Sequence, residues 1–508
     1  MSSWSIAQSM VNYSGTLMRQ VSPIIIVVNI GLGFALDNGL ARTPPMGWNS
    51  WNCFAHNIDE NKIKEVADAM VSTGLKDAGY IYLNLDDNWM AASRDVNGNL
   101  QADPARFPKG MKELGDYIHS KGLKFGIYGD RGTRTCHHLY GGGFGDTQSG
   151  SNGREVQDAK TFASWGVDYL KYDNCEANVA TMQRDYEAMR DALADCGRDI
   201  VYSVCAWEFQ PWMPEVGNLW RTTTDILNHW KKEGSDWSWG ILDIVDLNEP
   251  LAYCAKPGAW NDPDMLQVGN FGGDRSPNEN EYRSHMSLWC IMAAPIIMGN
   301  DIRNMSQVTK DILLNREVIA VNQDSAGIQG TKIKSTDGCD VWCKPIGFKD
   351  GDIKAVALFN RNDHARDITV EFSDIGLEGE VHVRDLWAKE DKGEFAGSYT
   401  MTVPSHGTGL LKISRKNTVG KHPYTSRIGA VRSEMFSGKI TNGSIIISSA
   451  DKSRVFEASV YLFDGRLMAR RRGIGGIACI PSGAGGVYLI VIRSNDLVEK
   501  RTITISYN

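Results

Sequence analysis

The stretch Leu170-Lys171-Tyr172-Asp173-Asn174-Cys175 ends a short apolar, β-prone run with an aspartate. A second stretch, Trp220-Arg221-Thr222-Thr223-Thr224-Asp225-Ile226, also brings an aspartate to the end of a β-prone run. The two aspartates lie roughly 50 residues apart, which leaves room for a helix, another strand and a further helix between them. We therefore predict that each aspartate lies where a strand meets a loop.

The surrounding residues 36–326 continue this alternation. Amphipathic stretches such as Asn61–Thr73 and Arg184–Leu193 carry apolar residues at helical spacing between the strand candidates. Eight strands alternating with helices predict an α/β protein with a (β/α)8 barrel. A doubly wound open sheet is the alternative, but no Gly-x-Gly-x-x-Gly follows the first strand. The strand candidates are Met46–Trp51, Tyr80–Leu85, Lys124–Tyr128, Val167–Tyr172, Ile200–Cys205, Leu219–Thr223, Ala259–Asn261 and Pro295–Met298.

Polar and acidic residues follow the ends of these strands. In a barrel the carboxyl ends of all strands meet at one mouth, where active sites form. Scattered helix caps would not all share one end, so the coincidence favours function. These residues are Trp51, Asp86, Asp87, Asp130, Asp173, Asp225, Asp262 and Asp264.

Paired carboxylates at neighbouring strand ends suit the hydrolysis of a glycosidic bond. One carboxylate attacks the anomeric carbon or activates water, and the other protonates the leaving oxygen. Asp173 and Asp225 are the candidate pair, although strand-end aspartates are also common as helix caps and turn formers. Asp86 and Asp87 stand beside Trp89, a combination that suits sugar hydroxyls and the apolar face of a sugar ring. A capped helix start is the alternative for that pair.

Two basic residues precede the candidate carboxylates. Lys171 lies two residues before Asp173, so along a strand both side chains point the same way. A nearby ammonium is expected to keep Asp173 ionised and able to attack. Arg221 lies four residues before Asp225 and either contacts the sugar or forms a structural ion pair.

The remainder of the chain changes character. Residues 327–415 contain short strand candidates separated by Asp/Gly/Asn turns, which predicts an antiparallel β-sandwich. Residues 416–429 have the composition of a linker, and residues 430–508 predict a second small β domain. Residues 416–508 hold 14 Lys and Arg against 6 Asp and Glu, while the whole chain carries −7, so the tail is a distinctly basic unit.

Residues 1–35 are predicted to be a signal peptide or leader. Arg19 precedes the apolar run Pro23–Ala35, which is too short to span a membrane comfortably, and Gly33-Phe34-Ala35 resembles a cleavage site. A buried N-terminal strand is the alternative. We expect secretion or attachment to the cell surface, with export across the envelope of a Gram-negative bacterium. No later segment predicts a transmembrane span.

Several classes of protein are disfavoured. The composition, 42% hydrophobic and 23% charged, is that of a globular protein, and its acidic balance gives no indication of nucleic-acid binding. The ten cysteines include no CxxC pair and His137-His138 has no third ligand at metal spacing, so no metal site is expected. Cys339 and Cys343 either close a small disulfide loop or are free thiols. The oligomeric state is not indicated.

These motifs together resemble glycoside hydrolase family 27, the α-galactosidase or melibiase family. The resemblance runs in order from about residue 40 to 415, and it implies a (β/α)8 barrel, an antiparallel β domain and a retaining hydrolase that releases terminal α-linked galactose from oligo- or polysaccharides without a cofactor. The matching stretches are 44–51, 86–87, 126–128, 170–175, 220–226, 257–266, 294–301 and 321–324.

The resemblance also implies roles for individual residues. Asp173 would be the nucleophile and Asp225 the acid/base, and Cys136 and Cys175 would form a disulfide beside the nucleophile. The implied galactose subsite consists of Trp51, Asp86, Asp87, Tyr128, Lys171, Cys205, Ala206, Arg221 and Asp264.

The chain departs from the family pattern at Ala206. Galactose-specific members typically place a glutamate there, which reaches the sugar's 2-position. A small residue at this position is shared with relatives that accept N-acetylgalactosamine, but Phe209 stands where those relatives have a second small residue, and we expect it to refill the space. Asp87 keeps the aspartate at a position where a longer carboxylate would favour L-arabinose. An α-N-acetylgalactosaminidase and a β-L-arabinopyranosidase therefore remain alternatives, as does an inert galactoside-binding protein.

Another pair of departures is self-consistent. Asn88 and His56 stand where family members often carry two cysteines that pair with each other. The C-terminal domain, with its stretches 485–492 and 501–505, resembles the sorting domains of Gram-negative secreted enzymes, of the type IX kind. A generic β-sandwich accessory module is the alternative, and the basic balance would favour attachment to anionic cell surfaces.

Overall fold

The computed structural model describes residues 36–140, 148–232, 237–270, 276–347 and 352–415, together with the backbone of the strands between 436 and 505. The predicted leader at 1–35 and the predicted linker at 416–429 lie outside the described residues.

Eight parallel strands form the core of the first unit, and they confirm the predicted barrel strands. Their hydrogen-bonded order is β7-β6-β5-β4-β3-β2-β1-β8. The sheet closes through Leu266, which follows β7 and pairs in parallel with Met298 of β8, so the open doubly wound alternative is wrong. The strands are β1 Met46–Asn49, β2 Tyr82–Leu85, β3 Lys124–Asp130, β4 Tyr169–Asp173, β5 Val201–Val204, β6 Leu219–Arg221, β7 Trp260–Asp262 and β8 Ile296–Met298.

The helices start at local signals and bury one apolar face. In the helix Glu60–Ser72, the side chain of Asp59 accepts a hydrogen bond from the backbone of Lys62, and Ile63, Val66 and Met70 are buried. The helices are α1 Trp51–Phe54, α2 Glu60–Ser72, α3 Leu75–Ala78, α4 Gly110–Ser120, α5 Cys136–Tyr140, α6 Glu155–Ser164, α7 Met182–Ala194, α8 Ile241–Asn248, α9 Glu279–Ile291, α10 Gln307–Leu313 and α11 Arg316–Asn322. Short 3₁₀ turns span Val179–Thr181, Met213–Glu215, Glu249–Cys254, Ile302–Asn304 and Phe372–Ile375.

The second unit is an antiparallel sandwich. A six-stranded sheet in the order β14-β13-β16-β11-β10-β9 shares an apolar core with the pair β12-β15. Cys339 and Cys343 lie four residues apart on one strand and are both free thiols, so they close no loop. The strands are β9 Thr331–Thr336, β10 Cys339–Pro345, β11 Ile353–Asn360, β12 Arg366–Glu371, β13 Glu380–Asp385, β14 Glu390–Ala396, β15 Ser398–Val403 and β16 Thr408–Arg415.

The barrel and the sandwich share a continuous apolar core. Phe359 of β11 and Leu410 of β16 are fully buried and belong to the same cluster as the barrel residue Trp289 of α9. Polar contacts border this cluster, including a hydrogen bond of 2.9 Å from Trp387 Nε1 to Ser287 Oγ. One face of the six-stranded sheet of the sandwich therefore packs against the barrel helix α9.

The strands of the C-terminal region form two small antiparallel sheets. One has the order β17-β18-β21 and the other β20-β19-β22-β23, and these described strands pair only among themselves. None of the helices in the described ranges combines the length and apolar character needed to cross a membrane. The strands are β17 Phe436–Thr441, β18 Ser444–Ser449, β19 Phe456–Leu462, β20 Leu467–Gly473, β21 Ile477–Pro481, β22 Gly486–Ser494 and β23 Leu497–Ile505.

Candidate active site

A cleft of about 960 Å³ opens at the carboxyl ends of the barrel strands. All of the predicted catalytic and sugar-binding residues line it except Cys205 and Ala206. The predicted residues in the wall are Trp51, Asp86, Asp87, Tyr128, Lys171, Asp173, Arg221, Asp225 and Asp264, together with the two predicted disulfide cysteines, Cys136 and Cys175.

Asp173 ends β4 at the bottom of the cleft and is only 6% exposed. Tyr128 donates its hydroxyl hydrogen bond to Asp173 Oδ2 at 3.0 Å, and the backbone of Asn174 donates to Oδ1 at 2.9 Å. Burial raises the pKa of the Asp173 carboxyl, Lys171 works against that rise, and the charge of Asp225 adds to it. Lys171 thus favours the ionised form as predicted, but burial outweighs it.

Lys171 and Asp86 form a buried ion pair beside the nucleophile position. Lys171 Nζ lies 2.8 Å from Asp86 Oδ2, and the same oxygen accepts a hydrogen bond from Asn49 Nδ2 at 2.7 Å. Burial alone would lower the pKa of Lys171, but the charges of Asp86, Cys205 and Asp173 and the hydrogen bond to Asp86 together raise it. The ammonium is therefore held charged, and its direction is fixed by β2 and β4.

Asp87 has a different environment from its neighbour. Its two oxygens accept backbone hydrogen bonds from Asn88 at 2.6 Å and from His137 at 2.8 Å. Burial raises the pKa of Asp87 to about 7, against the effect of these two N–H donors. The two adjacent aspartates consequently differ in their partners, since Asp86 binds the ammonium of Lys171 and Asp87 binds backbone N–H groups.

Asp225 follows β6 in the wall of the same cleft, and its side chain is 53% exposed. Arg221 Nη2 lies 3.2 Å from Asp225 Oδ1 and 2.8 Å from Asp264 Oδ2. Asp264 Oδ2 also accepts a hydrogen bond of 2.8 Å from the backbone of Ile226. Arg221 is therefore a structural ion-pair partner that also lines the cleft, and its contact with the sugar stays a prediction.

The residues after β5 differ from expectation. Cys205 is buried beneath the cleft, where Arg221 Nη1 donates to its sulfur at 3.8 Å, and Ala206 is packed in the apolar core. The ring of Phe209 lies against Trp220 at a centroid distance of 6.3 Å, and Phe209 packs on the core cluster that contains Ala206 without lining the cleft. Trp207 lines the cleft instead.

The predicted disulfide between Cys136 and Cys175 is confirmed, with a Cα–Cα distance of 5.1 Å. It joins the loop after β3 to the loop after β4. Asp130 reinforces the junction, since its carboxylate accepts backbone hydrogen bonds from Gly132 at 2.6 Å and from Cys175 at 2.9 Å. A Cβ on Gly132 would lie 1.9 Å from the carbonyl oxygen of Cys175, so only glycine permits this approach.

The described ranges contain one cluster of side chains with metal-ligand spacing, namely Asp130, Cys136 and Cys175. Both sulfurs of this cluster are committed to the disulfide, so it presents only a carboxylate. A thiolate ligand set for zinc is therefore not formed by this cluster.

Sequence reasoning assigned no role to several residues of the site. Asn49 lies in the family-like stretch 44–51, and its side-chain amide donates a hydrogen bond to Asp86. Arg131 is fully buried and binds Asn174 Oδ1 at 2.6 Å and Asp185 Oδ2 at 2.9 Å, which fixes the loop after Asp173. Trp237, at the rim, follows no periodic pattern that would have marked it.

A closed barrel that presents a buried and an exposed carboxylate across one polar cleft has the arrangement of a glycoside hydrolase. Residues 43–324 match the melibiase family model described as alpha galactosidase A, and residues 336–413 match the alpha galactosidase C-terminal beta sandwich domain. The chain belongs to this α-galactosidase family.

Individual relatives agree with the family match. An α-galactosidase of Cyamopsis tetragonoloba is 47% identical over 389 residues, which cover 76% of this chain and 89% of that protein. An α-galactosidase of Oryza sativa subsp. japonica is 49% identical over 360 residues, covering 70% and 81%. The crystal structure of α-galactosidase I from Mortierella vinacea superimposes with a TM-score of 0.69 at 37% identity, covering 75% of this chain and 98% of that one.

Proposed function

We propose that the protein is a retaining α-galactosidase that removes terminal α-linked D-galactose from oligo- or polysaccharides. The observation that carries this proposal is the unequal setting of the two carboxylates. Asp173 is buried beside a charged lysine, while Asp225 is half exposed in the wall of the same cleft. The α-galactosidases among the relatives, which match over most of this chain, support galactose as the sugar.

The proposed reaction is a double displacement. Asp173 attacks the anomeric carbon while Asp225 protonates the departing glycosidic oxygen, which gives a galactosyl ester and a free alcohol. Asp225, now ionised, takes a proton from water, and that water opens the ester to return Asp173 as a carboxylate. Tyr128 steadies the attacking oxygen, and Lys171 favours its ionised form.

The sugar's hydroxyls have separate partners in this scheme. The carboxylates of Asp86 and Asp87 and the ammonium of Lys171 would bind hydroxyls on one side, and Trp51 would lie against the apolar face of the ring. Arg221 and Asp264 would act near the acid/base. For a retaining enzyme we expect the carboxyl groups of Asp173 and Asp225 to lie about 5–5.5 Å apart in the complex with substrate.

Time-resolved NMR of the products tests the stereochemistry. Hydrolysis of an aryl α-galactoside should release α-galactose first, with the β-anomer appearing later by mutarotation. Initial release of β-galactose would rule out the retaining mechanism.

The alternative substrates are not favoured by the site. Asp87 stays an aspartate, and a β-L-arabinopyranosidase of Geobacillus stearothermophilus is 28% identical to this chain, against 47% and 49% for the two plant α-galactosidases. Comparing kcat/KM on the aryl α-galactoside, α-N-acetylgalactosaminide and β-L-arabinopyranoside measures the preference directly. Lack of turnover on all three would leave an inert galactoside-binding protein.

We further propose that the protein is exported, with the basic region 430–508 acting in sorting or in attachment to the cell surface. The disulfide supports an oxidising compartment, because such bonds are rare in the cytosol. Deleting residues 420–508 should leave activity on an aryl galactoside near normal and should abolish surface attachment in cell fractionation. Unchanged fractionation would contradict the role given to this region.

A further inference from the structure

The turn between β15 and β16 brings His406 of the sandwich against the start of the barrel helix α9. His406 Nδ1 lies 2.5 Å from Glu281 Oε1 of α9, and His406 Nε2 lies 2.9 Å from Asp363 Oδ1 of the sandwich. Both ring nitrogens face carboxylate oxygens, which suits the doubly protonated ring, in which each nitrogen is a donor. The imidazole is therefore fixed between one anion of the barrel and one of the sandwich.

The backbone of this turn is strained and is bound to α9. His406 has a φ of 53°, in the left-handed region, where residues other than glycine are uncommon. The hydroxyl of Ser284 donates to the carbonyl oxygen of His406 at 2.6 Å, and Thr408 Oγ1 donates to Ser284 Oγ at 2.8 Å. Such strain persists where the surroundings over-determine the conformation, and it is concentrated at functional positions.

The ring of His406 stacks on Trp230 of the barrel. The two ring centroids lie 5.4 Å apart with an interplanar angle of 24°. Trp230 also meets Phe359 of β11 edge to face, at a centroid distance of 6.0 Å. Two rings of the sandwich therefore support one indole of the barrel, and a charged imidazole over the indole face adds a cation–π attraction.

Trp230 ends the segment 225–230, which begins at the proposed acid/base Asp225. The backbone N–H of Trp239 donates to the carbonyl oxygen of Asp225 at 2.9 Å, and the N–H of Leu242 donates to the carbonyl oxygen of Trp230 at 2.9 Å. The segments 225–230 and 239–242 are thus joined along their length. Trp230 lies at the end of this pair of segments that contacts the sandwich, and Asp225 lies at the other end.

Asp225 depends on this backbone for its position. Its side chain is 53% exposed, and Arg221 Nη2 binds its carboxylate at 3.2 Å. A general acid must lie within hydrogen-bond distance of the oxygen that it protonates, and a displacement of about 1 Å can remove much of its effect. A shift of Trp230 would be passed through the paired segments to the backbone of Asp225.

We infer that His406 is a positioning residue, through which the sandwich holds the acid/base segment of the barrel by way of Trp230. This inference rests on the proposed α-galactosidase reaction and deepens it, because it gives the sandwich a part in protonating the leaving group. His406 itself lies outside the cleft wall. Its effect should therefore appear where protonation limits the reaction.

The experiment compares kcat/KM on two galactosides that need the acid to different degrees. Methyl α-galactoside has a leaving group that must be protonated, whereas dinitrophenyl α-galactoside releases a phenolate that needs little protonation. In His406→Ala, kcat/KM on the methyl galactoside should fall about tenfold, a small part of what general acid catalysis supplies. On the dinitrophenyl galactoside, kcat/KM should stay close to that of wild type. His406→Phe keeps a ring on Trp230 and should recover most of the loss.

Arg384→Met is the matched control. Arg384 is also a cation of the sandwich that bridges two carboxylates, since it binds Glu317 of the barrel helix α11 and Asp391 of the sandwich. Its partners lie away from the segment of Asp225, so the ratio of the two kcat/KM values should equal that of wild type. Circular dichroism checks the folding of each variant. If His406→Ala does not fold, His406→Gln replaces it with the same expected loss, because glutamine has amide donors but no ring.

Trp230→Leu tests the same contact from the barrel and should also lose kcat/KM selectively on the methyl galactoside. Combined with His406→Ala it should add little, because two residues that act through one contact are not additive. A full further loss in the double variant would show two independent effects and would overturn the role given to His406.

Other results would also overturn this role. Equal losses on both galactosides in a folded His406→Ala variant would mean that the substitution disturbs the whole site rather than the acid/base. Unchanged kcat/KM on the methyl galactoside would contradict the inference, as would a selective loss in Arg384→Met. If the wild-type enzyme hydrolyses neither galactoside, the proposed function itself has failed.

Discussion

Removing the Cys136–Cys175 disulfide should lower both the stability and the activity of the protein. The size of the loss of stability can be worked out from the number of residues that the disulfide encloses. The bond joins residues 39 positions apart. Closing a loop of this length in the unfolded chain is worth about 3.9 kcal/mol on the chain-entropy scale. The barrel and the sandwich unfold together, with an unfolding entropy of about 2.1 cal/mol/K per residue. Dividing the lost free energy by the summed unfolding entropy gives a fall in Tm of about 5 °C.

The expected loss of activity has a separate cause. Cys175 lies two residues after Asp173, and its backbone donates to Asp130, so the disulfide and Asp130 together hold the loop that follows the nucleophile. In the Cys136→Ala/Cys175→Ala variant, kcat/KM for an aryl α-galactoside should fall severalfold. Tm and kcat/KM should also both fall when wild-type protein is reduced with dithiothreitol.

Thermal unfolding by differential scanning fluorimetry and steady-state kinetics measure the two effects side by side. The double variant should not respond to dithiothreitol. Cys339→Ala serves as the control, because Cys339 is a free thiol on the sandwich. A Tm within about 1 °C of wild type, well inside the expected shift, together with unchanged kcat/KM would refute the view that this bond restrains the nucleophile loop.

Three further outcomes are expected. Asp173→Ala should abolish turnover even of an aryl galactoside, while Asp225→Ala should keep part of its activity on that substrate and regain more with added azide, as measured by phenolate release. Lys171→Met should shift the acidic limb of the kcat/KM–pH profile to higher pH, because Lys171 lowers the pKa of Asp173 and the attacking carboxylate must be ionised. Phe359→Ala should cost about 3–5 kcal/mol and should lower the unfolding temperature of the barrel and the sandwich together in calorimetry.

The last two predictions have controls within the same chain. Lys344 is also fully buried, but it lies on β10 of the sandwich, so Lys344→Met should leave the acidic limb in place. Leu358 neighbours Phe359 on the opposite face of β11 and packs in the core of the sandwich alone, so Leu358→Ala should destabilise the sandwich first. Azide rescue of Asp173→Ala, giving an α-azide, would mean that the two catalytic roles are exchanged.

The barrel was predictable because each strand candidate is a short apolar run and most are closed by a polar residue. The apolar runs before Asp173 and Asp225 marked strand ends that the structure places at one mouth. The balance of effects on Asp173 was not predictable, because spacing identified Lys171 as a neighbour but could not give the extent of burial. The contact of Phe209 with Trp220 was not predictable either, because sequence spacing does not give the path of the loop after β5.

Contacts between distant segments were also beyond sequence reasoning. No local sequence pattern predicts that the backbone of Cys175 donates a hydrogen bond to Asp130. The same is true of the hydrogen bond from the Thr224 hydroxyl to the carbonyl oxygen of Trp237. The sandwich was predicted from its turns. The sequence does not show that both faces of β11 are buried, with Phe359 packed against the barrel and Leu358 in the core of the sandwich. Such facts depend on which surfaces meet in three dimensions.

The common core of barrel and sandwich has a consequence for how such genes can recombine. A crossover that brought in a sandwich from a distant relative would set unfamiliar side chains against α9, where Trp289 packs with Phe359 and Leu410. Close packing tolerates few changes of volume, so most such chimeras would lose their fold before selection could act on their chemistry. The two units should therefore be inherited together as one block. The described C-terminal strands pair with one another, so an exchange of that region between lineages should leave this common core unchanged.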